Sequence, residues 1–175
     1  MKFLKGLLVI VLLLVVVGFV LPGSTHVERS TVINAPQTQV FAYLNDFQKF
    51  NLWSPWAKKD PNTRYQFSGP ATGVGSKMSW QSDHKEVGSG SQEITASQPS
   101  DHLETFLDFG DHGTAKAHYR LSNTNGMTQI TWGFDTDHGW NLLSRYFGLM
   151  MDDMVGADFE AGLANLKQVV EGQET

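Results

Sequence analysis

Four of the six histidines stand directly after an aspartate, as Asp83-His84, Asp101-His102, Asp111-His112 and Asp137-His138. Paired side chains of these types can ligate a metal or pass a proton. Neighbouring residues on a strand point to opposite faces, however, and these pairs fall in or beside predicted loops. No His-x-His or His-Glu-x-x-His spacing joins them, so the spacing reads as solvated loop polarity and no metal is expected. His118 falls in mid-strand on a face read as wet, and is given no role.

Other constellations are no stronger. Asp152-Asp153 with Asp158 and Glu160 lacks the alternate-residue carboxylates of a calcium loop. It reads instead as acidic residues in the first turn after a helix kink, where they favour the helix dipole. Gly73-Val74-Gly75 has no third glycine and lies between strands, so it is not a nucleotide loop. The chain has no cysteine, which excludes a thiol nucleophile, a disulfide staple and a lipid-modified cysteine anchor. None of its serines sits in a Gly-x-Ser-x-Gly elbow, and Gly88-Ser89-Gly90 reads as a turn.

The elements that would position any site begin with a membrane segment. Lys2 and Lys5 precede an unbroken apolar run from Gly6 to Leu21, closed by Pro22-Gly23. This is the charged-then-apolar order of an export signal. Small residues are poorly placed for cleavage after the run, and with Phe3 and Leu4 it approaches the roughly 20 residues that cross a bilayer. The favoured reading is an uncleaved anchor over residues 1–23, its N-terminus cytoplasmic and residues 24–175 outside. The alternative is a secreted or periplasmic domain freed by cleavage. Residues 24–175 hold 11 basic and 18 acidic side chains, a formal charge of −7. That balance argues against nucleic acid and against a polybasic grip on anionic headgroups.

Beyond the anchor one domain is expected, since no linker divides it. Thr25 to Ile33 alternates as a strand. Asn34-Ala35-Pro36 reads as a helix start, with Asn34 as the cap, and Val40, Phe41, Tyr43, Leu44 and Phe47 follow at helical spacing. A second short helix is expected around Phe47–Leu52, and Pro55 should end it. Six strands are predicted between Arg64 and Asp137, with Asn125-Gly126 the strongest hairpin signal. Their alternation puts Met78, Trp80, Leu103, Thr105, Leu107, Phe109, Ala115, Ala117, Tyr119, Leu121, Ile130, Trp132 and Phe134 on one dry face. Asn141 to Val170 is helical, with Gly148 and Gly156 as expected kinks. Val155, Phe159, Leu163, Leu166 and Val170 form its apolar stripe.

This order resembles the helix-grip fold of the START-like (SRPBCC) superfamily, an α+β architecture of about seven antiparallel strands wrapped on a long C-terminal helix. The local text is similar to the polyketide cyclase/dehydrase-type branch. The resemblance rests on Thr31-Val32-Ile33-Asn34-Ala35-Pro36 with Val40-Phe41-Ala42-Tyr43-Leu44, on Trp53-Ser54-Pro55-Trp56 with Asp60-Pro61, and on Gly69-Pro70 with Gly73-Val74-Gly75 and Trp80. Thr131-Trp132 and Gly162-Leu163-Ala164-Asn165-Leu166-Lys167 complete it. It covers about residues 25–171.

The resemblance implies a cavity between sheet and long helix, open to a hydrophobic small molecule or lipid. The implied lining is Trp53, Trp56, Trp80, Tyr119, Trp132, Trp140, Tyr146, Met150, Met151 and Met154, together with Phe106, which the alternation places on the wet face of its strand. Ala115 and Ala117 would leave room on the inner face. The expected function is an extracytoplasmic, membrane-anchored binder or carrier of such a molecule, without cofactor or metal. Two alternatives stand beside it. One is a cyclase/dehydrase-type enzyme on a hydrophobic substrate, using Tyr119, Tyr146 or Glu86 as acid or base. The other is a non-catalytic interaction module for a membrane partner.

Overall fold

A computed structural model describes residues 2–172 of the chain. Helix α1 (Lys2–Val20) carries the apolar run and leaves nearly all of its side chains uncovered. Of its residues from Phe3 onward, only Gly18 is buried. Strand β1 (Ser24–Ile33) follows. Three short helices come next rather than two: α2 (Gln37–Leu44), α3 (Phe47–Trp53) and α4 (Pro55–Lys59). Asn34 does not cap α2. Pro36 occupies the capping position, and the Asn34 N–H donates to Glu171 Oε1 at 2.7 Å. Asp46 caps α3 by accepting from the Gln48 N–H. Pro55 lies beyond the end of α3, as expected, but it also opens α4, where its missing N–H costs no helical hydrogen bond.

Strands β2 (Arg64–Ser68), β3 (Lys77–Gln81), β4 (Ser89–Gln98), β5 (His102–Asp108), β6 (Thr114–Thr124) and β7 (Met127–Asp137) join β1 in one antiparallel sheet, in the order β1-β7-β6-β5-β4-β3-β2. Asn125 and Gly126 both take positive φ in the β6–β7 hairpin, the backbone of a tight turn whose twist matches its strands. A register shift between Ile94 and Ala96 marks a bulge in β4, where the strand bends locally.

The dry face is the one the alternation names. Met78, Ile94, Leu103, Thr105, Ala115, Ala117, Tyr119, Leu121, Ile130, Trp132 and Phe134 are all buried there. Helix α5 (Leu142–Val170) covers it, burying Phe159, Leu163, Leu166 and Val170. It runs unbroken for 29 residues. Gly148 and Gly156 therefore do not break the helix; they are sites of close approach. Any Cβ at Gly156 would run into the Arg29 guanidinium, and one at Gly148 would lie 2.7 Å from His138 Nε2 and Thr25 Oγ1. With no new helix start near residue 152, the dipole reading of the acidic residues fails. Asp152 and Glu160 pair with Arg29 of β1 at 3.0 and 2.8 Å, and Asp158 pairs with Lys59 of α4 at 2.7 Å.

Candidate functional site

The space between the sheet and α5 is an aromatic cup. At its base Trp53, fully buried, meets Tyr119 and Trp132 edge-on. Trp132 lies flat on Phe159 of α5, centroids 3.8 Å apart, and Phe50 closes against both tryptophans. Trp53 reaches this position because α3 ends there and its indole N–H donates to the Tyr43 carbonyl. These rings fill the centre of the cup with their own surfaces.

Around them runs a half-buried rim: Trp56 on α4, Tyr65 on β2, Trp80 on β3, Leu107 and Phe109 at the end of β5, and Met151 and Val155 on α5. Trp56 packs edge-on against Trp132 and Phe159, and Trp80 against Phe109. Lys59 fastens two sides of this rim. It pairs with Asp158 of α5 at 2.7 Å and with Glu86 of the β3–β4 loop at 3.3 Å. Burial disfavours its charge, but the bonds to Asp158 and Glu86 outweigh that and hold the ammonium above the usual lysine range.

Polar atoms enter the cup sparingly. Cross-strand register puts Gln92 opposite Met78 and Leu107, and Thr105 opposite Ile94 and Ala117, all on the inner face. Thr105 Oγ1 and Trp132 Nε1 are buried and meet no hydrogen-bond partner among the described residues. Burial also pushes the Tyr119 phenol far above its ordinary value, so it stays protonated. Among the described residues buried on this face there is no carboxylate, and the imidazole of His138 is held away from the aromatic base, between Gly148 of α5 and Thr25 of β1.

The structure thus brings together Trp53, Trp56, Trp80, Tyr119, Trp132 and Met151 of the expected lining. It does not bring Phe106, Trp140, Met150 or Met154 to them. Phe106 points outward, and Trp140, Met150 and Met154 are exposed on or just before the first half of α5. Tyr146 turns away from the cup, its hydroxyl donating to the Leu14 carbonyl of α1 at 2.6 Å. Glu86 lies in the β3–β4 loop as the exposed partner of Lys59. Thr105, Phe159 and Lys59 were not singled out from sequence as site residues. A polar residue alternating with Leu103 and Leu107 was the available signal for Thr105.

The outer face of the sheet carries a second polar assembly. His118, read as wet, is 7% exposed. Its Nδ1 lies 3.3 Å from Asp135 and its Nε2 3.6 Å from Glu28, while His26 Nδ1 meets the other Asp135 oxygen at 2.7 Å and the two imidazoles stack. Burial lowers the His118 pKa, with Arg120 adding to the effect and the two carboxylates opposing it. His138 is also buried and not a solvated loop residue, but on the α5 side, against Gly148, with its Nε2 2.7 Å from Thr25 Oγ1. A hollow of about 470 Å³ over Gln98, His102, Arg120 and Gln129 lies on this same outer face, away from the cup.

Comparison with known proteins agrees with this architecture. The family described as polyketide cyclase / dehydrase and lipid transport matches residues 24–171. No curated protein matches the sequence significantly. Among solved structures, a protein from Arthrobacter aurescens superimposes with a TM-score of 0.61 at 17% identity, covering 86% of this chain and 88% of its own. CalU16 from Micromonospora echinospora gives 0.58 at 16%, covering 87% and 85%. The di-domain ARO/CYC StfQ from the steffimycin biosynthetic pathway gives 0.62 at 10%, covering 86% of this chain and 51% of that one. At these identities the likeness is one of fold.

Proposed function

The chain belongs to the polyketide cyclase / dehydrase and lipid transport family, and from that premise we propose that it holds a hydrophobic small molecule or lipid between its sheet and α5, as an extracytoplasmic domain anchored by α1. The observation that carries this reading is the pair Thr105 Oγ1 and Trp132 Nε1, buried in an aromatic wall without a hydrogen-bond partner among the described residues. An unmatched buried polar group costs about 1–3 kcal/mol. Small-molecule sites have this composition: mostly apolar and aromatic, with a few polar atoms that orient the ligand. The ligand would therefore be an apolar body bearing one or two polar atoms. It would displace the half-buried rim around Trp56, Trp80 and Met151.

The anchor reading is supported by α1, which offers an 18-residue apolar stretch, Phe3–Val20, long enough to cross a bilayer. Lys2 and Lys5 at its start favour a cytoplasmic N-terminus.

Native mass spectrometry of the full chain in mild detergent tests the binding reading, paired with a palmitate titration followed by tryptophan fluorescence. A co-purifying mass released on unfolding, or a saturable fluorescence response, is expected. No bound mass and no saturable response would overturn it.

A further inference from the structure

The first half of α5 carries an apolar stripe that faces away from the cup. Leu143, Phe147, Met150 and Met154 recur at i, i+4, i+7 and i+11, and each is about half or more exposed. Trp140, one turn earlier, is 82% exposed. An apolar helix face left this exposed needs a partner, and the packing of α1 beside it bears on which one.

α1 is packed against this same stretch. Gly18 is the buried residue of the anchor because Leu142 and Tyr146 sit against it, where a Cβ would come within 3.2 Å of both. Phe19 meets Trp140 edge-on at 6.0 Å. The Arg145 guanidinium donates to the carbonyls of Phe19 and Leu21 at 3.1 and 3.2 Å, satisfying acceptors that a helix C-terminus leaves unpaired. Tyr146 donates to the Leu14 carbonyl. Leu14 lies six residues before the end of α1, a drop of roughly 9 Å at the helical rise. A bilayer that contains α1 to its end therefore contains the start of α5 as well.

The residues there suit that depth. Trp140 is the kind of amphipathic ring found at the headgroup level, Arg145 lies among carbonyls and against that ring, and Tyr146 satisfies its hydroxyl on α1 below it. Leu143 and Phe147 would face acyl chains. Along α5, Met151 at the cup rim lies eight residues beyond Leu143, only roughly 12 Å away along the helix axis.

We infer that Trp140 and the first turns of α5 are inserted in the outer leaflet beside α1, so that the rim of the cup opens at the bilayer surface. This rests on the anchor reading above, and it makes the leaflet itself the source or destination of the ligand.

The absence of cysteine permits a clean test. Single variants Val11→Cys, Leu143→Cys, Phe147→Cys and Ser122→Cys of the full chain are labelled with a nitroxide and reconstituted in vesicles of phosphatidylcholine and phosphatidylglycerol. Power-saturation measurements then compare access by oxygen with access by a water-soluble nickel chelate. Labels at Val11, Leu143 and Phe147 should favour oxygen, and the label at Ser122 the chelate. Val11 in lipid with Leu143 and Phe147 in water would overturn the inference while leaving the anchor intact. Val11 in water would overturn the anchor and the inference with it. Leu143 and Phe147 shielded from both relaxants, with spin–spin broadening, would overturn the inference in favour of a second copy on this face.

Discussion

The Trp132 indole and the Phe159 ring are stacked 8° from parallel, joining the middle of β7 to the middle of α5. Trp53, Trp56 and Tyr119 all pack against the same indole. Truncation of Phe159 would leave a void that rigid neighbours cannot refill, so Phe159→Ala should cost about 3–5 kcal/mol. Urea unfolding of the detergent-solubilised chain measures this. A loss under about 1 kcal/mol would mean that the aromatic base collapses freely and does not hold α5 to the sheet.

Lys59 joins α4, the β3–β4 loop and α5 at the rim. It is partly exposed, and such pairs contribute little to global stability, so Lys59→Met should shift unfolding by no more than about 1 kcal/mol. Its effect should be local. Hydrogen exchange in residues 82–88 should accelerate, because that loop loses its tie to α5. Unchanged exchange there would show that Trp80, whose Nε1 donates to the Val87 carbonyl, holds the loop alone.

Much of this architecture follows from patterns that are local in sequence. Alternation in β5, β6 and β7 identifies the buried face because a strand covered on one side must alternate. Asn125-Gly126 marks its hairpin because both residues tolerate positive φ. What alternation cannot show is which side chains cover each other across strands distant in sequence. His118 occupies an outward position, yet it is buried because β1 and β6 flank β7 and bring His26, Glu28 and Asp135 around it over Gly133. The carboxylates of α5 were misread for the same reason, since their partners Arg29 and Lys59 lie over 90 residues away. The aromatic set of the cup was legible as a set. Its division into a filled base, a half-buried rim and an exposed stripe on α5 depends on where the helix lies.

The His118 environment makes stability depend on pH. Its folded-state pKa lies below the ordinary value of 6.5, first through burial and then through Arg120. The unfolded chain therefore binds more protons than the folded one between those two values, and stability rises with pH across that window. The His118 contribution is fully present above about pH 6.5 and is lost as the pH falls through the window. Thermal unfolding from about pH 5 to pH 7 should show this slope. His118→Gln should flatten it, and an unchanged slope would assign the dependence to other groups.

Gly162 faces the cup where a Cβ would lie 2.8 Å from the Trp132 ring and 3.1 Å from Pro55. In an exposed helix, glycine to alanine gains about 1 kcal/mol from backbone propensity. Here both neighbours are rigid, so overpacking should reverse the sign and cost about 1–3 kcal/mol. Gly162→Ala should unfold at lower urea concentration, whereas stabilisation would show that α5 can shift away from the sheet.

Thr105 separates binding from folding most directly. Its hydroxyl is buried and unpartnered among the described residues. If it serves only the fold, it is a cost, and Thr105→Val should be neutral or stabilising by up to about 1 kcal/mol. If it orients a ligand in the cup, the same variant should weaken palmitate binding by about tenfold, equivalent to about 1.4 kcal/mol. The expected result is both at once: unchanged or higher stability in urea, with reduced affinity in the fluorescence titration. A variant that loses stability while keeping its affinity would place the Thr105 hydroxyl in the fold and outside the site.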